Sequence, residues 1–257
     1  MSETLKETFT LPLSASQIID EYKNLHLGGK NVVCPYFINK KKERAGLRAL
    51  IGKGDPSEIE KEVKVWAKLK DFDLVKADAS QIREFMQNCN IGVDCSGFIV
   101  HIFNFWLKTE GKKPLQNQLK FKKNGPVTSL KRFIRPVENI SANTITSVDN
   151  TIKITNIDEI KPGDLIRSKG KVRNSHHLML VTKVVKENGK VTQFEYVHST
   201  SHFAAGNGVR TGKIVITDTK KPLSAQNWIE SDRKPNSTLI GFMNNEDDNG
   251  IRRLKFL

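Results

Sequence analysis

The dipeptide Asn188-Gly189 in KENGK constrains this chain more than any other feature. It lies between two β-type runs, HLMLVTKVV and VTQFEYVHS. An Asn-Gly pair so flanked is a strong hairpin signal, because both residues accept the positive φ of a two-residue turn. Such a turn pairs Glu187 with Lys190 and sets His198 opposite Met179. His177, two residues before Met179, then points to the same face as His198 and is its diagonal neighbour. One more turn residue would flip the parity and put His176 in that place. Further β-type runs, DLIRS, GKIVIT and TLIGFM, share this half of the chain, while the tail NNEDDNGIRRLKFL carries little pattern.

Helical spacing dominates the earlier half. Asp55 and Pro56 read as N-cap and first helical position, with Ile59, Val63, Trp66 and Leu69 recurring on one face to Lys70. A shorter helix runs from Ala79 to about Cys89, and after the turn NIGVD the run CSGFIVHIFNFWLK reads as a buried helix, apolar almost all round. No repeat is visible at a period of about 20 to 50 residues. Helices first and strands after argue for an α+β fold with an antiparallel sheet. We expect residues 1–89 to form a mostly helical N-terminal elaboration of the same domain, and 90–257 to form the core.

At 257 residues the chain can bury a core without staples. An apolar fraction of 37% and no run of 18 apolar residues exclude fibrous, low-complexity and membrane-spanning classes. The opening MSETLKETFTLPLSAS has no basic region followed by an apolar stretch, so we expect no signal peptide and a cytoplasmic chain by default. A cell wall would then be reached by lysis or a non-Sec route. The net charge of +14 draws the protein toward polyanions. Nine bases between Lys108 and Arg135, opposed only by Glu110, are either a patch for an anionic polymer or a solvated face.

Cys34, Cys89 and Cys95 form no CxxC pair, and three thiols cannot all be bridged, so a reduced chain is expected. Cys95 stands where a turn gives way to a helix. There the unsatisfied N–H groups and the helix dipole favour an anion, lowering the thiol pKa and offering donors to an oxyanion. Asp94 would cap this helix, and Asp94 and Ser96 border the place where a substrate oxyanion would sit. With His177 as base and His198 orienting it, the set has the logic of a thiol-hydrolase triad. His101 reads as a packed residue and His26 as a solvated loop residue. The pair His198 and His202, at i and i+4 in a strand context, does not make a helical ligand face. Zinc held by His176, His177, His198 and Cys95 is the metal alternative; a thiol hydrolase needs none.

GVDCSGFIV resembles the nucleophile motif of the NlpC-type cell-wall endopeptidases, a papain-like family. IKPGDLI resembles that family's strand entry, HHLMLVTKV its histidine-bearing strand with His177 at the base position, and YVHSTS with GVRTG the strand of the third polar residue. The resemblance covers roughly residues 90–216. It implies a nucleophile helix packed on an antiparallel sheet, and hydrolysis of an amide in peptidoglycan stem peptides without metal or cofactor. It also implies an upstream tyrosine beside the thiol, which Cys34-Pro35-Tyr36 supplies as Tyr36. Two other readings stay open. The chain could be a polyanion-binding protein with a non-catalytic core, although no RNP-like, zinc-finger or helix-turn-helix signature favours nucleic acid. The same site could instead transfer its acyl group to an amine or deamidate a side chain.

Overall fold

A computed structural model describes residues 5–39, 48–121, 135–169, 176–201, 206–230, 236–243 and 248–257. It is α+β with a mostly antiparallel sheet. Two compact units share the chain: Met1–Pro12, Ser141–His198 and Thr211–Leu257 form one, and Leu13–Ile140 with Ser199–Arg210 the other. No unit boundary falls at residue 89. The first residues belong with the sheet, and the helices on either side of residue 89 both fall within Leu13–Ile140.

The sheet unit contains β1 (Lys6–Thr10), β4 (Thr151–Ile154), β5 (Leu165–Lys169), β6 (His176–Glu187), most of β7 (Lys190–Thr200) and of β8 (Gly208–Val215), β9 (Asn227–Ile229) and β10 (Gly250–Leu254). Strand order is β4-β10-β5-β6-β7-β8-β9, and β1 pairs with the far end of β6, beyond the reach of β5. One face buries Ile166, Met179, Val181, Phe194, Tyr196, Ile214 and Ile251, which drive its formation by leaving water together. Glu187 pairs with Lys190 across the turn, where Asn188 and Gly189 both have positive φ. The expected register recurs at the other end, Leu180 opposite Val197, yet it is shifted by one between. Thr182 is the extra residue on β6 and Thr192 on β7, so two irregularities cancel.

Three expectations are corrected here. TLIGFM is not a strand: Asn236 Oδ1 accepts from the backbone of Thr238 and Leu239, starting the helix Ser237–Met243. Its buried residues Thr238 and Phe242 lie four apart, and Phe242 packs on Trp228 with ring centres 5.1 Å apart. The last strand is β10, in the tail that showed no pattern, because Arg252 is buried beside the apolar Ile251 and Leu254 and breaks the alternation. The N-terminal region also contains strands, β1 and the small ribbon β2 (Leu25–Leu27) with β3 (Lys30–Val32), so His26 is a strand residue, though an exposed one.

The helical unit is built on α1 (Leu13–Lys23), α2 (Pro56–Leu69), α3 (Ala79–Asn88) and α4 (Cys95–Thr109). Asp55 caps α2 in a capping box with Glu58, with Pro56 in the first turn, and Asp78 does the same for α3 with Gln81. α4 is buried almost all round, and Phe98 meets the Tyr22 ring of α1 edge-on at 5.1 Å. Among the described residues no helix is long and apolar enough to cross a membrane. Of the nine bases from Lys108 to Arg135, five are described and four fall within 122–134, outside the described residues.

Candidate active site

The start of α4 is held from three sides within the helical unit. Val93 forms a parallel bridge with Tyr36 and an antiparallel one with Lys53. Its N–H donates to Pro35 O at 3.0 Å, and its carbonyl accepts from Ser199 Oγ at 2.7 Å. Asp94 N donates to Gly52 O at 2.9 Å. Gly52 has φ +77, and a Cβ there would lie 2.3 Å from Phe37 O. A Cβ on Gly97 would lie 2.5 Å from Gly52 O, so the helix can press this closely only with glycine at that position.

Asp94 caps α4 by accepting from Gly97 N at 2.7 Å and from Ser96 Oγ at 2.9 Å. The Lys53 ammonium, its side chain 8% exposed, donates to Asp94 Oδ1 and to Ile140 O, each at 3.0 Å, and to Ser96 Oγ. The side chains of Asp94 and Ser96, both expected at a substrate oxyanion, are thus engaged inward, and the Gly97 N–H of the first turn is taken up by the cap. Cys95, the first residue of the helix, is 7% exposed. Tyr36 lies beside it: burial, followed by the neighbouring Cys95 sulfur and the Asp94 carboxylate, pushes the phenol well above its ordinary pKa. It stays protonated there and can donate. The two helices between Tyr36 and Cys95 in sequence do not separate them, because residues 35–37 return to pair with Val93.

The other thiols differ. Burial pushes the Cys34 thiol far up, against the opposing pull of Arg83 and a hydrogen bond to the Val93 backbone. Cys89 is raised by burial too, and all three cysteines are unbridged. His101 is buried, its Nε2 2.8 Å from Lys53 O, and burial holds it below the ordinary imidazole range.

In the sheet unit the two histidines meet through their side chains. His177 Nε2 and His198 Nδ1 are 2.7 Å apart, as the diagonal placement across β6 and β7 requires. His198 Nε2 lies 2.7 Å from Glu230 Oε1, and Tyr196 Oη donates to Glu230 Oε2 at 2.8 Å. The side chains of His198 and Glu230 are fully buried. Burial raises the Glu230 pKa, but hydrogen bonds from His198 and Tyr196 outweigh it and keep the carboxylate below its ordinary value.

That charge settles both tautomers. An ionised Glu230 only accepts, so His198 Nε2 carries a proton and, in the neutral ring, Nδ1 accepts. His177 must then donate from Nε2, and its lone pair is placed on Nδ1. The chain Glu230, His198, His177 therefore delivers one oriented base. Both of the nitrogens that a zinc site would need from His177 and His198 at this contact are bonded to each other. His176, on the opposite face of β6, takes no part, and His202 lies outside the described residues. Glu230 was not foreseen; its only sequence signal is an acid directly following the apolar pair Trp228-Ile229. Comparison with family models, curated proteins and solved structures finds no match for this chain.

Proposed function

We propose that this protein is a thiol hydrolase that cleaves an amide bond, with Cys95 as nucleophile, His177 as general base and acid, and His198 as its orienting partner. The observation that carries the reading is the Glu230–His198–His177 chain, two contacts of 2.7 Å ending in an imidazole whose Nδ1 can take a proton. In this reading His177 Nδ1 removes the Cys95 proton and the sulfur attacks the amide carbonyl. The oxyanion is met by backbone N–H groups at the start of α4, with the Tyr36 hydroxyl beside the sulfur. His177 returns the proton to the leaving amine as the C–N bond breaks, leaving a thioester. Water, deprotonated by His177, then releases the acid and restores the thiol. Adding a carboxylate behind the second histidine gives the imidazolium a buried counter-charge at the moment it forms.

The papain-like arrangement and the substrate class, stem peptides of peptidoglycan, are part of the proposal and rest on the motif resemblance to the NlpC-type endopeptidases. The positive charge would favour adsorption to an anionic wall polymer. The test is mass spectrometry of purified peptidoglycan fragments incubated with wild type and Cys95→Ala in reducing buffer with chelator. New stem-peptide fragments from wild type alone are expected. Cleavage by Cys95→Ala as well would overturn the mechanism. Rapid alkylation of Cys95 with no fragments would keep the thiol chemistry and redirect the substrate to another amide or acyl donor.

A further inference from the structure

A second polar cluster lies within the sheet unit, on strands β4, β10, β5 and β6. Gly250 pairs with Arg167, Arg252 with Leu165 and with Lys153, and Lys169 with His176. Directly paired residues share a face, and so do residues two apart on a strand, so Lys153, Arg252, Arg167, Lys169 and His176 all rise from one side around Gly250. Gly250 leaves that position low. A Cβ built there would meet one described atom within 4 Å, Lys153 Cε at 3.6 Å.

Among the described residues the carboxylate at this cluster is that of Asp248, which Arg167 holds in a bidentate pair, Nε at 3.0 Å and Nη2 at 2.7 Å, with Lys169 Nζ 3.6 Å away. Arg167 is otherwise satisfied by Thr146 Oγ1 at 2.6 Å and Asn143 Oδ1 at 2.9 Å. Arg252 is not. It is 7% exposed, its Nη2 lies only 3.5 Å from Asp248 O and 3.9 Å from Oδ1, and its buried Nε has no hydrogen-bond partner among the described residues. A buried guanidinium with an unmatched N–H calls for an acceptor.

We propose that this face binds a tetrahedral oxyanion, inorganic phosphate or a phosphomonoester, over Gly250, held by Arg252 with Lys153 and Lys169 at the solvent side. Phosphate matches the requirement because it offers several acceptor oxygens to a guanidinium and two ammonium groups at once. The cations also strain one another. Burial and then Arg167 hold Arg252 below its ordinary pKa, and burial, Arg167 and Lys169 do the same to His176 against the pull of Asp248. An added anion relieves both. The inference is independent of the thiol chemistry, since none of these residues belongs to the relay.

The test is NMR of the His176 ring and the Arg252 Nε–H during titration with inorganic phosphate and, separately, glycerol phosphate, with sodium chloride holding ionic strength constant. Saturable shifts in both groups are expected, with Arg252→Met lowering affinity ~10-fold or more through loss of the charge-assisted bonds. Tighter binding of glycerol phosphate than of inorganic phosphate would identify an ester as the ligand; equal binding would identify the free ion. Asp248→Asn removes the competing carboxylate and should tighten binding, which gives a second readout if Arg252→Met does not fold. Shifts no larger than those from chloride alone, unchanged affinity in Arg252→Met, or weaker binding in Asp248→Asn would each overturn the proposal.

Discussion

Two buried polar pairs, the Lys53–Asp94 ion pair of the helical unit and the His198–Glu230 hydrogen bond of the sheet unit, do different work. Lys53 and Asp94 hold a backbone: their contacts fix the cap of α4 beside the bridges that Val93 makes to Tyr36 and Lys53. His198 and Glu230 hold a side chain, fixing which nitrogen of His177 carries its proton. Lys53 and Asp94 lie out of water, where removing one partner leaves an uncompensated charge, whereas Glu230→Gln removes a charge and keeps the shape of the side chain. The first pair should therefore be felt as stability and the second as turnover.

The sharpest break would come from the reacting groups themselves. Cys95→Ala should abolish turnover, and His177→Ala should lower it by roughly 10³-fold or more, both read on the cleaved fragment. Activity in His177→Ala with loss in His176→Ala would show that the wrong imidazole was assigned. Next, Lys53→Met should destabilise the fold by about 3–5 kcal/mol, measured by denaturant unfolding, because it strands Asp94. If Lys53→Met keeps its stability but loses turnover, the contrast between the two pairs fails. Glu230→Gln should reverse that pattern, with turnover down roughly 10- to 100-fold, about 1.4–2.7 kcal/mol of barrier, while the unfolding midpoint moves little. The smallest effect is one of pH. The His101 pKa is held below 6.5 by burial, so the unfolded chain binds the proton more readily and stability falls as pH drops through that region. His176, also held low, adds to the same acid slope. His101→Gln should make the slope shallower in thermal melts from pH 7.5 to 5; an unchanged slope would exclude His101 as a contributor.

Local chemistry was legible in the sequence and long-range pairing was not. The caps at Asp55 and Asp94, the helix run from Cys95 and the Asn188-Gly189 turn each depend on residues within a few positions, and each lies where those residues indicated. The facing of His177 and His198 followed from the turn alone because the two bulges cancel; a single one would have reversed the choice. Glu230 was hidden because its partners are 32 and 34 residues away. β1 was hidden because all five residues are exposed and show no alternation, and β10 because a buried arginine occupies a position that pattern reading reserves for apolar residues. The helix at Ser237–Met243 was read as a strand because its short apolar run fits both periods.

The order of the sheet has a consequence for how the chain is made. Of the described strands, β10 is the last to be synthesised and lies between β4 and β5, while β1, the earliest of them, waits for β6. At about 5–20 residues per second, β1 is exposed for roughly ten seconds or more before its partner exists. β5 must meanwhile keep one edge open until residue 250 arrives. The helical unit, whose residues 13–140 come out almost without interruption, can condense first. During synthesis the vulnerable species is thus a half-built sheet with an unfilled slot, and the charges of Lys6, Glu7 and Lys153 along the waiting edges are where a nascent chain would resist pairing with its neighbours.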